Sequence, residues 1–184
     1  MTEQAITTVG DWQGDAEARA GLQIAIHDGW SRRWSYAGCL ADYVGAYFRA
    51  NLQSLDAAQS ADAEAFLIYA VNEMVENAVK FGHGEQIELR AMLNQGQLAI
   101  IVSSRAAAQA ARRYRTVVAE IAEGDPLMLL MERVERNAAQ GPSAGSGLGL
   151  LSMMTDYGAS LGWRFQDVRE AEVAISTMAR LQIN

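Results

Sequence analysis

The sequence predicts an α+β fold, and three observations carry that expectation. Gln86–Leu93 and Gln97–Ser104 alternate apolar and polar residues around Asn94-Gln95-Gly96, the pattern of a hairpin. Two further alternating runs, Leu161–Val168 and Ala171–Leu181, close the chain. Between and before these runs, apolar residues recur at helical spacing over several long stretches.

From the amino terminus, residues 1–20 are polar and acidic, contain Gly10 and Gly14, and read as a tail or a loosely packed element. Leu22, Ile24 and Ile26 alternate, which predicts a strand ending at the turn signal Asp28-Gly29. Leu40, Tyr43, Val44, Tyr47 and Phe48 place a helix over about 36–52. Asp62 is the expected cap of the next helix, about 63–81, which Gly82 stops. After the hairpin come helices over about 106–121 and 127–139, the second led by Asp125-Pro126. A glycine-rich stretch then opens a last helix that runs to about Tyr157.

The composition narrows the function. With 184 residues, 50% hydrophobic and 20% charged, the chain suits one domain with a buried core, read as residues 21–184. A net charge of −7 argues against a nucleic-acid partner. No apolar run approaches the roughly 18–20 residues that cross a bilayer, and no basic segment leads into an apolar one as in a secretory signal. Cys39 is the only cysteine, so no internal disulfide forms and a cytoplasmic location is expected. One cysteine and two separated histidines, His27 and His83, make a poor zinc site.

Two motifs carry chemistry. In GPSAGSGLGLLSMM, Gly141 to Met154, four glycines precede a helical run. A loop that needs positive φ would explain them. So would an anion site, because glycine lets a ligand approach the backbone and the first helical turn offers unpaired N–H groups. In the helix AFLIYAVNEMVENAVKFGHG, Glu73 and Asn77 are four residues apart and share a face, with Lys80 on the same side. Asn72 and Glu76 form a neighbouring polar stripe. A solvated face accounts for this spacing. A Mg²⁺–phosphate site accounts for it too, since magnesium takes oxygen ligands and keeps several waters, and a carboxylate can orient an attacking hydroxyl.

The run Asn72-Glu73-Met74-Val75-Glu76-Asn77-Ala78-Val79-Lys80-Phe81 resembles the N-box of the GHKL ATPases, the superfamily of histidine kinases, gyrase, MutL and the anti-sigma-factor serine kinases. GSGLGLLSMM is similar to that superfamily's second glycine box, and the two stand in the family order with a hairpin between them. The resemblance covers about residues 63–180. It implies the Bergerat fold, an α/β two-layer sandwich whose mixed, mostly antiparallel sheet is covered on one face by helices. It implies ATP and Mg²⁺ as cofactors, Asn77 as the metal-binding asparagine and Glu73 as the general base. Lys80 would stand near the phosphates, and Gly145, Ser146, Gly147, Leu148 and Gly149 would form the loop that covers them.

The chain departs from the family at the first glycine box, Asp-x-Gly-x-Gly. Its strand QLAIIVSS runs instead into RAAAQAARRYR, so Ser103 or Ser104 takes the place of the aspartate that accepts from the adenine amino group. We carry Ser104 as the candidate there. The usual threonine of the last strand is also missing near Ala171 and Glu172. These departures resemble the SiaB-like branch of stand-alone bacterial regulators. That branch implies a small partner of the anti-sigma-antagonist, STAS-like type, phosphorylated on Ser or Thr, and the family leaves room for a homodimer. The alternative is a catalytically inactive adaptor that keeps the fold and binds its partner without ATP turnover.

The remaining features read plainly. Trp30, Trp34 and Arg32-Arg33 suit turn and core packing or, as the alternative, a partner surface, and His83 belongs to the helix-ending turn. Arg112, Arg113 and Arg115 suit a solvated face close in sequence to the proposed pocket, within reach of phosphates or an acidic partner. Met128, Met131, Met153 and Met154 are expected as core fillers.

Overall fold

Alternation along the chain becomes a single sheet. The computed structural model of the chain describes residues 5–14, 20–27, 35–52, 55–82, 86–94, 96–140 and 147–183. Within them lie strands β1 (Ile6–Gly10), β2 (Ala20–His27), β3 (Gln86–Asn94), β4 (Gln97–Ala107), β5 (Ser160–Arg169) and β6 (Glu172–Gln182). The helices are α1 (Ser35–Arg49), α2 (Ala57–Phe81), α3 (Ala108–Glu123), α4 (Pro126–Gln140) and α5 (Leu148–Asp156). The fold is α+β. Its six-stranded sheet runs β1-β5-β6-β4-β3-β2 with every neighbouring pair antiparallel, where a mixed sheet was expected. Ile6–Gly10, inside the expected tail, pair with β5 at one edge.

Side-chain alternation sorts the two faces. Ile87, Leu89 and Ala91 of β3, Ile100 and Val102 of β4, and Trp163 and Phe165 of β5 join one buried cluster beneath the helices. α2 supplies Ala63, Phe66, Leu67, Ala70, Val71, Met74, Val75 and Ala78, a stripe at three- and four-residue spacing. α1 packs on α2, α3 lies over β1, β4, β5 and β6, and α5 fits between α2 and β5. α4 sits outermost, against α5. On the opposite face, Ser103 and Ser176 share a hydrogen bond of 2.8 Å. There Asp11 and Trp12 cross β5 at Gly162, where a Cβ would strike their backbone. Arg180 pairs with Asp11, and the Arg164 guanidinium stacks over Trp12 at 5.3 Å.

Three local expectations are corrected. α2 begins at Ala57, because Asp56 and Gln59 form a capping box: Gln59 N–H donates to Asp56 Oδ1 at 2.8 Å. Asp62 therefore lies inside the helix, in an alanine-rich stretch that favours it. β4 continues through Arg105 to Ala107 along its pairing with β6. Met153 is buried, but Met128 and Met131 are exposed on α4. The turn at Asp28-Gly29, the tryptophan–arginine stretch of residues 30–34, and His83 lie outside the described residues.

Candidate functional site

The site begins on α2. Its apolar stripe faces the sheet, so Glu73 and Asn77 point sideways toward the next covering element, which is α5. Gly147 opens α5 at φ 92°, in the left-handed region. A Cβ on Gly147 would lie 2.5 Å from Arg133 Nη1, and Arg133 is itself buried and held by Glu120 at 2.8 Å. Two residues on, a Cβ on Gly149 would overlap the Glu73 carboxylate. Glycine at 149 is thus what lets the two helices meet with a carboxylate between them.

A pocket of about 250 Å³ results, lined by Tyr69, Glu73, Glu76, Asn77, Lys80, Gly147, Leu148, Gly149 and Ser152. Residues some seventy positions apart thus line one space. Gly145 and Ser146 lie outside the described residues. Burial pushes the Glu73 carboxyl above its ordinary range, and the nearby Glu76 charge adds to the effect. Tyr69, which hydrogen-bonds Ser152, is likewise raised, chiefly by burial. Two carboxylates against one ammonium leave the pocket negative. This arrangement suits a divalent cation, or phosphate that arrives with one, better than a bare anion. The oxygens of Asn77, Glu73 and Glu76 are hard donors of the kind Mg²⁺ takes, so the donor set fits that ion.

Asn77 also borders a second space, directed inward. Met74, Asn77, Ala78, Phe81, Val102, Ser104, Tyr114, Ile175 and Thr177 enclose only about 10 Å³, at most the room of one water molecule. Tyr114, buried on α3, fills it. Its ring stacks on Phe81 at 4.6 Å between centroids. Its hydroxyl accepts from Trp163 Nε1–H at 3.3 Å and shares a 3.3 Å hydrogen bond with Thr177 Oγ1. Burial raises the phenol above its ordinary range, which favours the neutral form. An adenine does not fit beside Asn77 and Ser104 in this arrangement.

Ser104, not Ser103, faces this inner space, because alternation turns Ser103 to the opposite face. No threonine stands at Ala171 or Glu172, but β6 carries one farther along. Thr177, opposite Val102 in register, lines the inner cavity. Glu76, Tyr69 and Ser152 also line the outer pocket, and helical spacing from Glu73 and Gly149 is the signal that finds them. Arg112 and Arg115 border a separate groove of about 770 Å³ with Ala108, Asp167, Arg169 and Glu170, and none of the three arginines lines the pocket between α2 and α5. Among the described residues, no helix is long and apolar enough to cross a membrane. Compared with known proteins, the chain matches no family model and no curated protein.

Proposed function

We propose that this chain is a Bergerat-fold regulatory protein of the GHKL superfamily, of the stand-alone anti-sigma-factor kinase type. In this reading it binds Mg²⁺–ATP and passes the γ-phosphoryl group to a Ser or Thr of a small STAS-like partner in the bacterial cytoplasm. One observation carries the reading: Glu73, Asn77 and Lys80 meet Gly147, Leu148 and Gly149 around a single polar pocket. Asn77 holds the metal, Lys80 adds positive charge at the mouth, and Glu73 accepts the proton of the acceptor hydroxyl. Its raised affinity for a proton suits that task. The backbone N–H groups at the start of α5 face the phosphates.

The second reading is an adaptor of the same fold that binds its partner without turnover. The filled inner cavity favours it, since Tyr114 and Phe81 take the room a purine needs. Titration calorimetry with Mg²⁺–ATP separates the two. The kinase reading expects heat with the wild-type chain and none with Asn77→Ala. A wild-type chain that gives no heat at high protein concentration is an adaptor. Phosphoryl transfer that persists at the wild-type rate in Asn77→Ala overturns the site.

A further inference from the structure

Of the six large apolar side chains that stand exposed among the described residues, four gather on one helix, while Ile6 and Tyr43 stand apart on β1 and α1. Leu127, Met128, Met131 and Val134 are 56, 66, 54 and 52% exposed, and all four lie on α4. Leu127, Met131 and Val134 follow one another at four- and three-residue spacing, with Met128 beside them, so they form a stripe about 10 Å long. The opposite side of α4 holds the helix in place. Asp125 Oδ1 accepts from Met128 N–H at 2.9 Å, and Arg133 reaches inward to Glu120 and Gly147. The stripe is therefore a fixed, outward-facing surface. None of its residues lines the pocket between α2 and α5.

We propose that this face of α4 docks a basic amphipathic helix of a protein partner. Charge selects that occupant. Glu135 projects beside Met131 and Met128, and Glu123 and Asp125 stand exposed at the amino-terminal end of the helix. Of the two cations on α4, Arg133 is buried on the far side and Arg136 is held by Glu132 at 2.5 Å. The stripe thus meets solvent with a carboxylate border and no free cation from its own helix. Lysines flanking an apolar face would answer that border. A second copy would bring the same carboxylates and another −7 of net charge. Methionine suits the role because its flexible side chain adapts to the partner's apolar face.

Fluorescence anisotropy with a labelled synthetic Leu/Lys amphipathic helix of about five turns tests this. The controls are the same composition scrambled to break the apolar face and a Leu/Glu helix of the same pattern. The wild-type chain is expected to bind the Leu/Lys helix and neither control. Met131→Ser with Val134→Ser should weaken binding at least about tenfold, and Glu135→Lys should weaken it about threefold and flatten its salt dependence. These positions are exposed, so thermal melts of the variants should overlay the wild type. Equal binding by the double variant or by the Leu/Glu helix overturns the proposal. So does wild-type self-association in sedimentation that disappears in Met131→Ser with Val134→Ser, because the occupant is then a second copy.

Discussion

Asn77 borders two spaces that differ in every respect but their wall. Outward, toward α5, the space is about 250 Å³, polar and open to solvent. Inward, toward β4 and β6, it is about 10 Å³ and closed by an aromatic pair and a shared hydroxyl network. The outer half depends on residues without side chains, Gly147 and Gly149, and on the charged and amide groups that α2 sets along its wall. The inner half depends on Tyr114, which arrives on α3, the helix that follows β4. Glycine leaves room on the outer side, and an aromatic ring fills the inner one. On the reading proposed above, a phosphate and metal end could stay open while a base end is filled, because different elements build the two halves.

The largest effect should come from emptying the inner half. Tyr114→Ala removes a buried ring stacked on Phe81 and strands the Trp163 N–H, which should cost about 3–5 kcal/mol. For a chain of this size each kcal/mol lowers Tm by about 2–4 °C. If the inner cavity is the blocked seat of a purine, the variant should gain affinity for ATP over inorganic triphosphate while it loses stability. Equal affinities for both ligands, before and after the change, would show that the inner space has no part in binding. Gly147→Ala comes next, since a side chain at φ 92° costs about 1–2 kcal/mol and would also push Arg133 off Glu120. Tyr114→Phe keeps the packing and deletes only the hydroxyl shared by Trp163 and Thr177, so about 1–2 kcal/mol should appear in denaturant melts. Should Tyr114→Phe cost as much as Tyr114→Ala, the hydrogen bonds rather than the ring would be holding the inner half shut.

Most of the fold was legible because period decides it. The hairpin, the two closing strands and the five described helices follow from spacing in the sequence, and the errors among them lie at ends. A cap six residues earlier, Asp56, won over Asp62 because its partner Gln59 completes the box. β1 was illegible, as five residues at a sheet edge, mostly exposed, carry little alternation to read. The outer pocket was legible for the same reason as the helices: Glu73, Asn77 and Lys80 are set by one period, and Gly147–Gly149 by a motif. The inner cavity was not, because it is made by register. Which strand serine faces inward, and that Thr177 reaches the Tyr114 hydroxyl, follow only once β4 is paired with β6 and α3 is laid across them. Met128 and Met131 misled because methionine is usual in cores, and nothing in α4's own period shows that no described element covers its second apolar side.

The finest contrast between the halves is one of protons. Glu73 has its carboxyl above the ordinary value of 4.5, first through burial and then through Glu76. The protonated form is therefore the one that favours folding. Its contribution is complete below the unfolded-state value and is lost as pH rises through the folded-state one. Glu73→Gln mimics the protonated form at every pH. The variant should melt slightly above the wild type at neutral and alkaline pH, and the gap should close as pH falls below about 4. If Glu73 also serves as base, the same substitution that raises Tm should abolish phosphoryl transfer while leaving Mg²⁺–ATP titration heats nearly intact. A residue that lost stability on becoming Gln at neutral pH would instead be anchored by its charge, and the outer half would then be a structural seam between α2 and α5 rather than a site.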